Sequence, residues 1–205
     1  MATCGFYGKL PGEGDFVTRR LPWEFTSAWD DWLQQGMLAS RNALGDGWLN
    51  LYLSAPIWRF QLAPGVCGPL AWRGLFFASV DRVGRYFPLT LAFAGGSAPA
   101  PGGVASTLAG DADGWFAAED AGLAGLAPTL RLDDFDRAME SLAEPGAEPA
   151  DAAAPAAVHF YCAGSDEAPP LRLAFPALPP ASQFAELIAP SAPPPPSSLL
   201  DTLAS

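Results

Sequence analysis

An α+β fold, an antiparallel β-sheet flanked by helices, is predicted by three features of the 205-residue sequence. Ile57 to Phe93 reads as a three-stranded meander, an amphipathic helix precedes it from Pro22 to Met37, and a run of strand-forming residues, Val158-His159-Phe160-Tyr161-Cys162, follows it far downstream. Strands and helices that cluster rather than alternate favour an antiparallel sheet with helices on its faces.

Taken in order, Cys4-Gly5-Phe6-Tyr7 predicts a short strand entering a glycine-rich loop, Gly8 to Val17. Gly8-Lys9 invites comparison with a phosphate-binding loop, but that motif needs four residues between its glycines and Ser or Thr after Lys. Here two residues separate Gly5 from Gly8, and Leu10 follows Lys9. Gly12-Glu13-Gly14 lacks the third glycine of a dinucleotide fingerprint and sets an acid where phosphate would approach.

From Pro22 to Met37, Phe25, Trp29, Trp32, Leu33 and Met37 recur at helical spacing, and Pro22 suits a first turn. Tryptophans in that pattern belong to a core. Leu38 to Leu44 predicts a short further helix ended by Gly45-Asp46-Gly47, and Trp48 to Leu53 fits a helical turn or a strand.

Ile57-Trp58-Arg59-Phe60-Gln61-Leu62 alternates apolar and polar residues, the pattern of a half-buried strand. Pro64-Gly65 is a turn, after which Cys67 to Ala78 and Phe87 to Phe93 supply two strands apolar enough to be buried on both faces. The Pro22 helix and later helices are expected to cover the meander's edges. Between its last two strands lies Val80-Asp81-Arg82-Val83-Gly84-Arg85-Tyr86, a turn bearing one acid and two arginines. Gly84 accepts a positive φ, and Phe87 is held extended by Pro88. Asp81 is expected to pair with Arg82 or Arg85, and the turn to pack near the Gly8 to Asp15 loop. Alternatively, the arginine forks serve an anion or a partner.

Ala94 to Gly103 is a Gly/Pro/Ala loop. Val104, Leu108, Trp115, Phe116 and Leu123 predict one or two helices broken near Gly110-Asp111-Ala112-Asp113-Gly114. Placing Gly114 on the glycine of a calcium loop puts Ala109 at the first ligand position and Asp120 where a bidentate Glu belongs, so Asp111 or Asp113 is read as a helix cap. Leu132, Phe135, Met139 and Leu142 form another amphipathic stripe, capped by Asp133.

The chain divides into a core over 1–143, an Ala/Pro/acidic solvated linker over 144–157, a final strand and short helix over 158–190, and a Pro-rich tail over 191–205. The helix is placed at Ser182 to Ile188 and polyproline II at Pro193 to Pro196. The lone histidine, His159, has no second histidine or nucleophile motif to work with and is read as a packed or edge residue.

The net charge of −11 is unevenly placed. Through Ala92 the eight bases (Lys9, Arg19, Arg20, Arg41, Arg59, Arg73, Arg82, Arg85) meet seven acids; from Phe93 onward there are three bases and fifteen acids. With no basic stripe to neutralise phosphates, nucleic acid and anionic membrane surfaces are excluded as partners. Cys4, Cys67 and Cys162 are odd in number and far apart, which argues against disulfides and zinc, and no signal segment or membrane span is present. A cytoplasmic protein without a cofactor is expected.

Gly5-Phe6-Tyr7-Gly8-Lys9-Leu10-Pro11, Gly14-Asp15-Phe16-Val17, Trp29 through Leu33, Pro56 through Phe60 and Ser79 through Leu89 together resemble the type VI secretion-associated TagF family, also called ImpM. The likeness covers roughly the first 95 residues, with Ala78 where the family pattern carries a proline. It implies a longin or profilin-like α/β sandwich. It also implies a cytoplasmic, non-enzymatic accessory protein that restrains type VI secretion after translation through the forkhead-associated scaffold protein of that system. The resemblance carries over no catalytic residue. Lys9, Asp15, Arg19, Arg20, Asp81, Arg82 and Arg85 form the candidate partner-binding or structural polar set, with the partner surface placed around Arg19, Arg20, Arg82 and Arg85. The rival reading is a small-ligand-binding or hydrolase domain using Lys9, Asp15, Asp81, Arg82 and Arg85. Convergence of those five side chains in a concave pocket would favour the rival; pairing among themselves and with backbone would disfavour it.

Overall fold

The aromatic stripe of the first helix decides where the main core lies. The computed structural model describes residues 3–95, 108–146, 156–164 and 169–190. Helix α1, Trp23–Leu44, starts from Pro22 in extended conformation and stops at Gly45, whose φ of 54° lets its N–H reach back to Arg41 O. It buries Phe25, Trp29, Trp32, Leu33 and Met37 as expected but does not end at Met37. Ser40 carries the buried stripe onward: its hydroxyl donates to Met37 O at 2.9 Å and accepts from Trp48 Nε1 at 3.0 Å. Gly45–Gly47 form a 3-10 turn, and Trp48–Leu53 form a helix, α2, resolving the ambiguity of that segment.

Strands β1 (Gly5–Gly8), β2 (Val17–Arg19), β3 (Trp58–Leu62), β4 (Trp72–Phe77), β5 (Leu89–Ala94), β6 (Val158–Cys162) and β7 (Leu171–Phe175) make one seven-stranded sheet. Their order is β2-β1-β5-β4-β3-β6-β7, with every pairing antiparallel. The meander is its centre. Its edges are covered not by helices, as expected, but by β1 beside β5 and β6 beside β3, because exposed ladder N–H and C=O groups are best satisfied by another strand.

One sheet face, carrying Trp58, Phe60, Phe76 and Phe160, packs on α1, α2 and the C-terminal helix α5, Phe184–Ile188. Each fully buried side chain of this size contributes about 1.5–3 kcal/mol. Three indoles of this core find acceptors: Trp29 Nε1 donates to Thr90 Oγ1 (2.9 Å), Trp32 Nε1 to Pro179 O (2.9 Å) and Trp58 Nε1 to Leu187 O (2.7 Å). The opposite face, carrying Phe6, Leu75, Phe77 and Leu91, packs on α3 (Leu108–Ala124) and α4 (Leu132–Ser141) through Trp115, Phe135 and Met139.

Several expectations are corrected. Strand β3 is buried on both faces, not half-buried, because α3 covers the side bearing Arg59 and pairs with it: Arg59 Nε meets Glu119 Oε1 at 2.6 Å, and its guanidinium lies 5.3 Å from the Trp115 ring centroid. Helix α3 runs unbroken through Gly110-Asp111-Ala112-Asp113-Gly114, so neither Asp caps a break there. The residue preceding α4 is Arg131, with no side-chain cap; Asp133 and Asp134 instead lie in the first turn, where the helix dipole favours acids. The segment read as a solvated linker starts out packed: Pro145 is buried, Arg73 Nη1 donates to Pro145 O (2.7 Å), and Trp115 Nε1 donates to Gly146 O (3.1 Å). Residues 147–155 of that linker, the 96–107 segment and the tail at 191–205 lie outside the described residues. Strands β2 and β7 were not anticipated. Among the described residues no helix is long and apolar enough to cross a membrane.

Candidate functional site

The site is the turn joining β4 to β5. Val80 and Tyr86 form an isolated bridge, Asp81 N donates to Arg85 O (3.0 Å), and Gly84 N donates to Asp81 O (3.0 Å). Gly84 takes a φ of 87°, which β-branched residues resist. Asp81 closes the turn with its own side chain: Oδ1 accepts from Val83 N (3.0 Å) and Arg85 N (2.9 Å), while Oδ2 accepts from Arg85 Nε (2.6 Å) and Lys9 Nζ (2.9 Å). Four donors fill the acceptor capacity of one carboxylate. The Asp81 side chain has no exposed surface and that of Lys9 only 5%. Burial by itself would raise the Asp81 carboxyl; the Arg85 N–H, the Lys9 ammonium, the Arg85 guanidinium and the Val83 N–H outweigh it and hold the group well below the usual carboxylate range.

The glycine-rich loop is fastened to this turn. Arg82 N donates to Glu13 O (2.8 Å), Arg85 Nη2 to Gly14 O (2.6 Å) and Ser79 Oγ to Lys9 O (2.7 Å). Ser79 is clasped by Tyr52, whose hydroxyl donates to Ser79 O (2.9 Å) and accepts from Ser79 N (3.0 Å). At Gly8 a Cβ would lie 2.1 Å from Pro88 O, so the loop leaves β1 through a position that only glycine can fill. Phe16 closes over the pair: it stacks on Tyr7 at 5.7 Å, meets Phe87 edge-on at 4.8 Å, and has Lys9 Nζ 5.0 Å from its centroid, yet remains 43% exposed.

Lys9, Asp81 and Arg85 are thus brought together, and Arg82 adjoins them through its backbone. Asp81 pairs with Arg85 and Lys9, and the turn packs on the Gly8 to Asp15 loop, as expected. Asp15 stands apart, its Oδ1 accepting from Phe16 N at 2.8 Å. Arg19 and Arg20 lie elsewhere and face α4. Arg20 Nη1 meets Asp136 Oδ1 (2.6 Å) and Glu140 Oε1 (3.3 Å), Arg20 Nε donates to Cys4 O (2.8 Å), and Arg19 Nε is 3.9 Å from Asp136 Oδ2. Those contacts make Arg20 a tie between β1 and α4. No motif marks Tyr52, and although Phe16 and Ser79 lie in the blocks that carry the resemblance, sequence reasoning did not single them out; the one signal for the contact was that both loops are short, charged and glycine-bearing.

The charges of Lys9, Asp81 and Arg85 are spent on one another and on Gly14 O. What the turn and loop offer outward is a ridge: Phe16, Val83 (66% exposed) and the exposed Arg82 and Arg85. Among the described residues no group of three or more His, Cys, Asp and Glu is placed to hold a metal. His159 stacks on Tyr161 with 6.1 Å between centroids, its Nε2 lying 3.2 Å from Ala156 O.

Comparison with known proteins matches residues 5–142 to the family described as TagF N-terminal domain, Type VI secretion system-associated. The crystal structure of PA0076 from Pseudomonas aeruginosa PAO1 is similar in fold, with a TM-score of 0.78 and 35% sequence identity over 95% of this chain and 97% of that one. No curated protein sequence matches.

Proposed function

The chain belongs to the type VI secretion-associated TagF family, and from that premise we propose that it is a non-enzymatic cytoplasmic protein restraining type VI secretion after translation by occupying a partner's surface. The partner in this reading is the forkhead-associated scaffold protein of the secretion system. The observation that carries it is the Lys9–Asp81–Arg85 cluster, whose polar atoms are turned on one another and on Gly14 O, while aromatic, apolar and arginine side chains face outward. Arginines and aromatics are enriched at interface hot spots, and a buried, fully bonded carboxylate is a scaffold for such a surface more than a reacting group. The same pairing weighs against the ligand-binding or hydrolase reading. The interface is placed on the Phe16, Arg82, Val83 and Arg85 ridge. Co-purification of the tagged chain with the scaffold protein, together with secretion measured on overproduction, tests it. Expected are a stoichiometric complex and depressed secretion; a scaffold that fails to co-purify overturns the reading.

A further inference from the structure

Between the last turn of α1 and the Asp81 turn runs an open groove of 640 Å³, within the roughly 300–1,000 Å³ typical of ligand clefts. Its banks are Gly45 and Gly84, both at positive φ with nothing within 4 Å of where a Cβ would stand, so the backbone there is bare. The ring of Trp48 has the Arg41 guanidinium 4.2 Å from its centroid and Tyr86 edge-on at 6.3 Å; Leu49 adds apolar surface, 37% exposed. Arg85 lines the opposite bank with 55% of its side chain exposed.

Arg41, on one bank of the groove, differs from most arginines of the molecule. The chain holds 22 acids and 11 bases, so carboxylate partners abound, and Arg19, Arg20, Arg59, Arg73, Arg85 and Arg137 all have one. Among the described residues no carboxylate lies within ion-pair distance of Arg41, of the neighbouring Arg82 or, away from the groove, of Arg131; of these Arg41 is the one that lines the groove. An arginine stacked on tryptophan keeps its N–H edge free for bidentate bonding to a carboxylate. The one acid lining the groove is Asp46. Resting on the interaction reading above, we infer that this groove receives an extended acidic segment of the partner protein. One of its carboxylates is seated on Arg41, which the buried Trp48 ring holds in place, and a flanking apolar side chain lies against Leu49 and the half-buried Tyr86. A singly charged carboxylate suits the site better than a phosphorylated side chain, whose second charge would face Asp46.

The probe is a fluorescein-labelled octapeptide of Asp and Glu with two leucines, titrated by anisotropy against the full chain. Its Asn/Gln counterpart and a phosphothreonine counterpart serve as comparisons. Expected are binding of the acidic peptide that weakens with salt, about tenfold weaker binding of the neutral one, a loss of about tenfold in Arg41→Glu, and tighter binding in Asp46→Asn. Arg131→Glu, exposed and outside the groove, leaves binding unchanged, and circular dichroism verifies that each variant is folded. No binding of the acidic peptide, equal binding by Arg41→Glu, or tighter binding of the phosphopeptide overturns the inference. If wild type and Arg41→Glu capture the scaffold equally, the groove assignment falls while the functional reading stands. If wild type does not capture the scaffold, the functional reading falls whatever the peptides do.

Discussion

The ring of Phe184 occupies the space that a side chain on Gly36 would need: a Cβ at position 36 would lie 2.2 Å from Phe184 Cδ2 and 2.4 Å from its Cγ. Gly36 therefore sits in the middle of α1 despite its poor helix propensity, because its bare backbone is the seat on which α5 docks. Gly36→Ala gains about 1 kcal/mol of helix propensity but forces a ring that is 2% exposed out of its socket, so overpacking of about 1–3 kcal/mol wins or cancels. In a Phe184→Ala background the clash is gone, and the same Gly36→Ala change stabilises. Urea unfolding of the four proteins checks the reversal of sign.

Asp81→Asn keeps the shape of the side chain and removes its charge. Because the folded-state carboxyl is held below its unfolded value, its contribution is fully present above the unfolded pKa of about 3.9 and is lost as pH falls through the lower folded value. At pH 7 the variant melts below wild type, and the gap narrows once the pH drops under about 4. Melting curves from pH 7 down to 2 read this directly; a gap that stays constant or widens in acid would assign the effect to packing.

Arg20 is the one non-glycine residue with positive φ among the described residues, at 58°. Replacing it with Ala removes the tie to Asp136 and leaves a Cβ in the left-handed region, whereas Gly removes only the tie. Arg20→Gly is therefore expected to be more stable than Arg20→Ala by about 1 kcal/mol, measured by denaturant unfolding. Charge reversal at Arg20 disturbs the α4 packing first, so it does not report cleanly on partner binding.

The thiols divide by burial. Cys4 and Cys67 are buried, and burial pushes each up to about 12, with Arg20 lowering Cys4 only in part. Cys162 is half-buried. At pH 8 a maleimide is expected to modify Cys162 first and the other two only on unfolding, as peptide mass spectrometry of timed aliquots will show.

What the sequence made legible was what repeats or lies close together. The Phe25, Trp29, Trp32 and Leu33 spacing located α1, and the Asp81 to Arg85 turn could be read because its partners are within four residues. Lys9 lies 72 residues from Asp81, and only the resemblance between two charged loops hinted at contact. Strand β2 has three residues, too few to show a period. Strand β7 does alternate, Leu171-Arg172-Leu173-Ala174-Phe175, but the prolines at 169, 170 and 176 disguised as loop what is an edge strand, where proline is tolerated at the margins. The groove was invisible because Arg41 and Trp48 lie on different helices, brought face to face by the Gly45–Gly47 turn.

The indole bonds from Trp32 to Pro179 and from Trp58 to Leu187 span 147 and 129 residues. During synthesis both tryptophans leave the ribosome long before their acceptors exist, and the sheet face they belong to stays open until β6 and α5 follow. The matched family segment ends at residue 142, short of both. Contacts of such sequence separation make folding slow and leave apolar surface uncovered in the interval. The sheet face can therefore close only once α5, the last helix among the described residues, has been made, so the C-terminal segment serves as the latch of the main core.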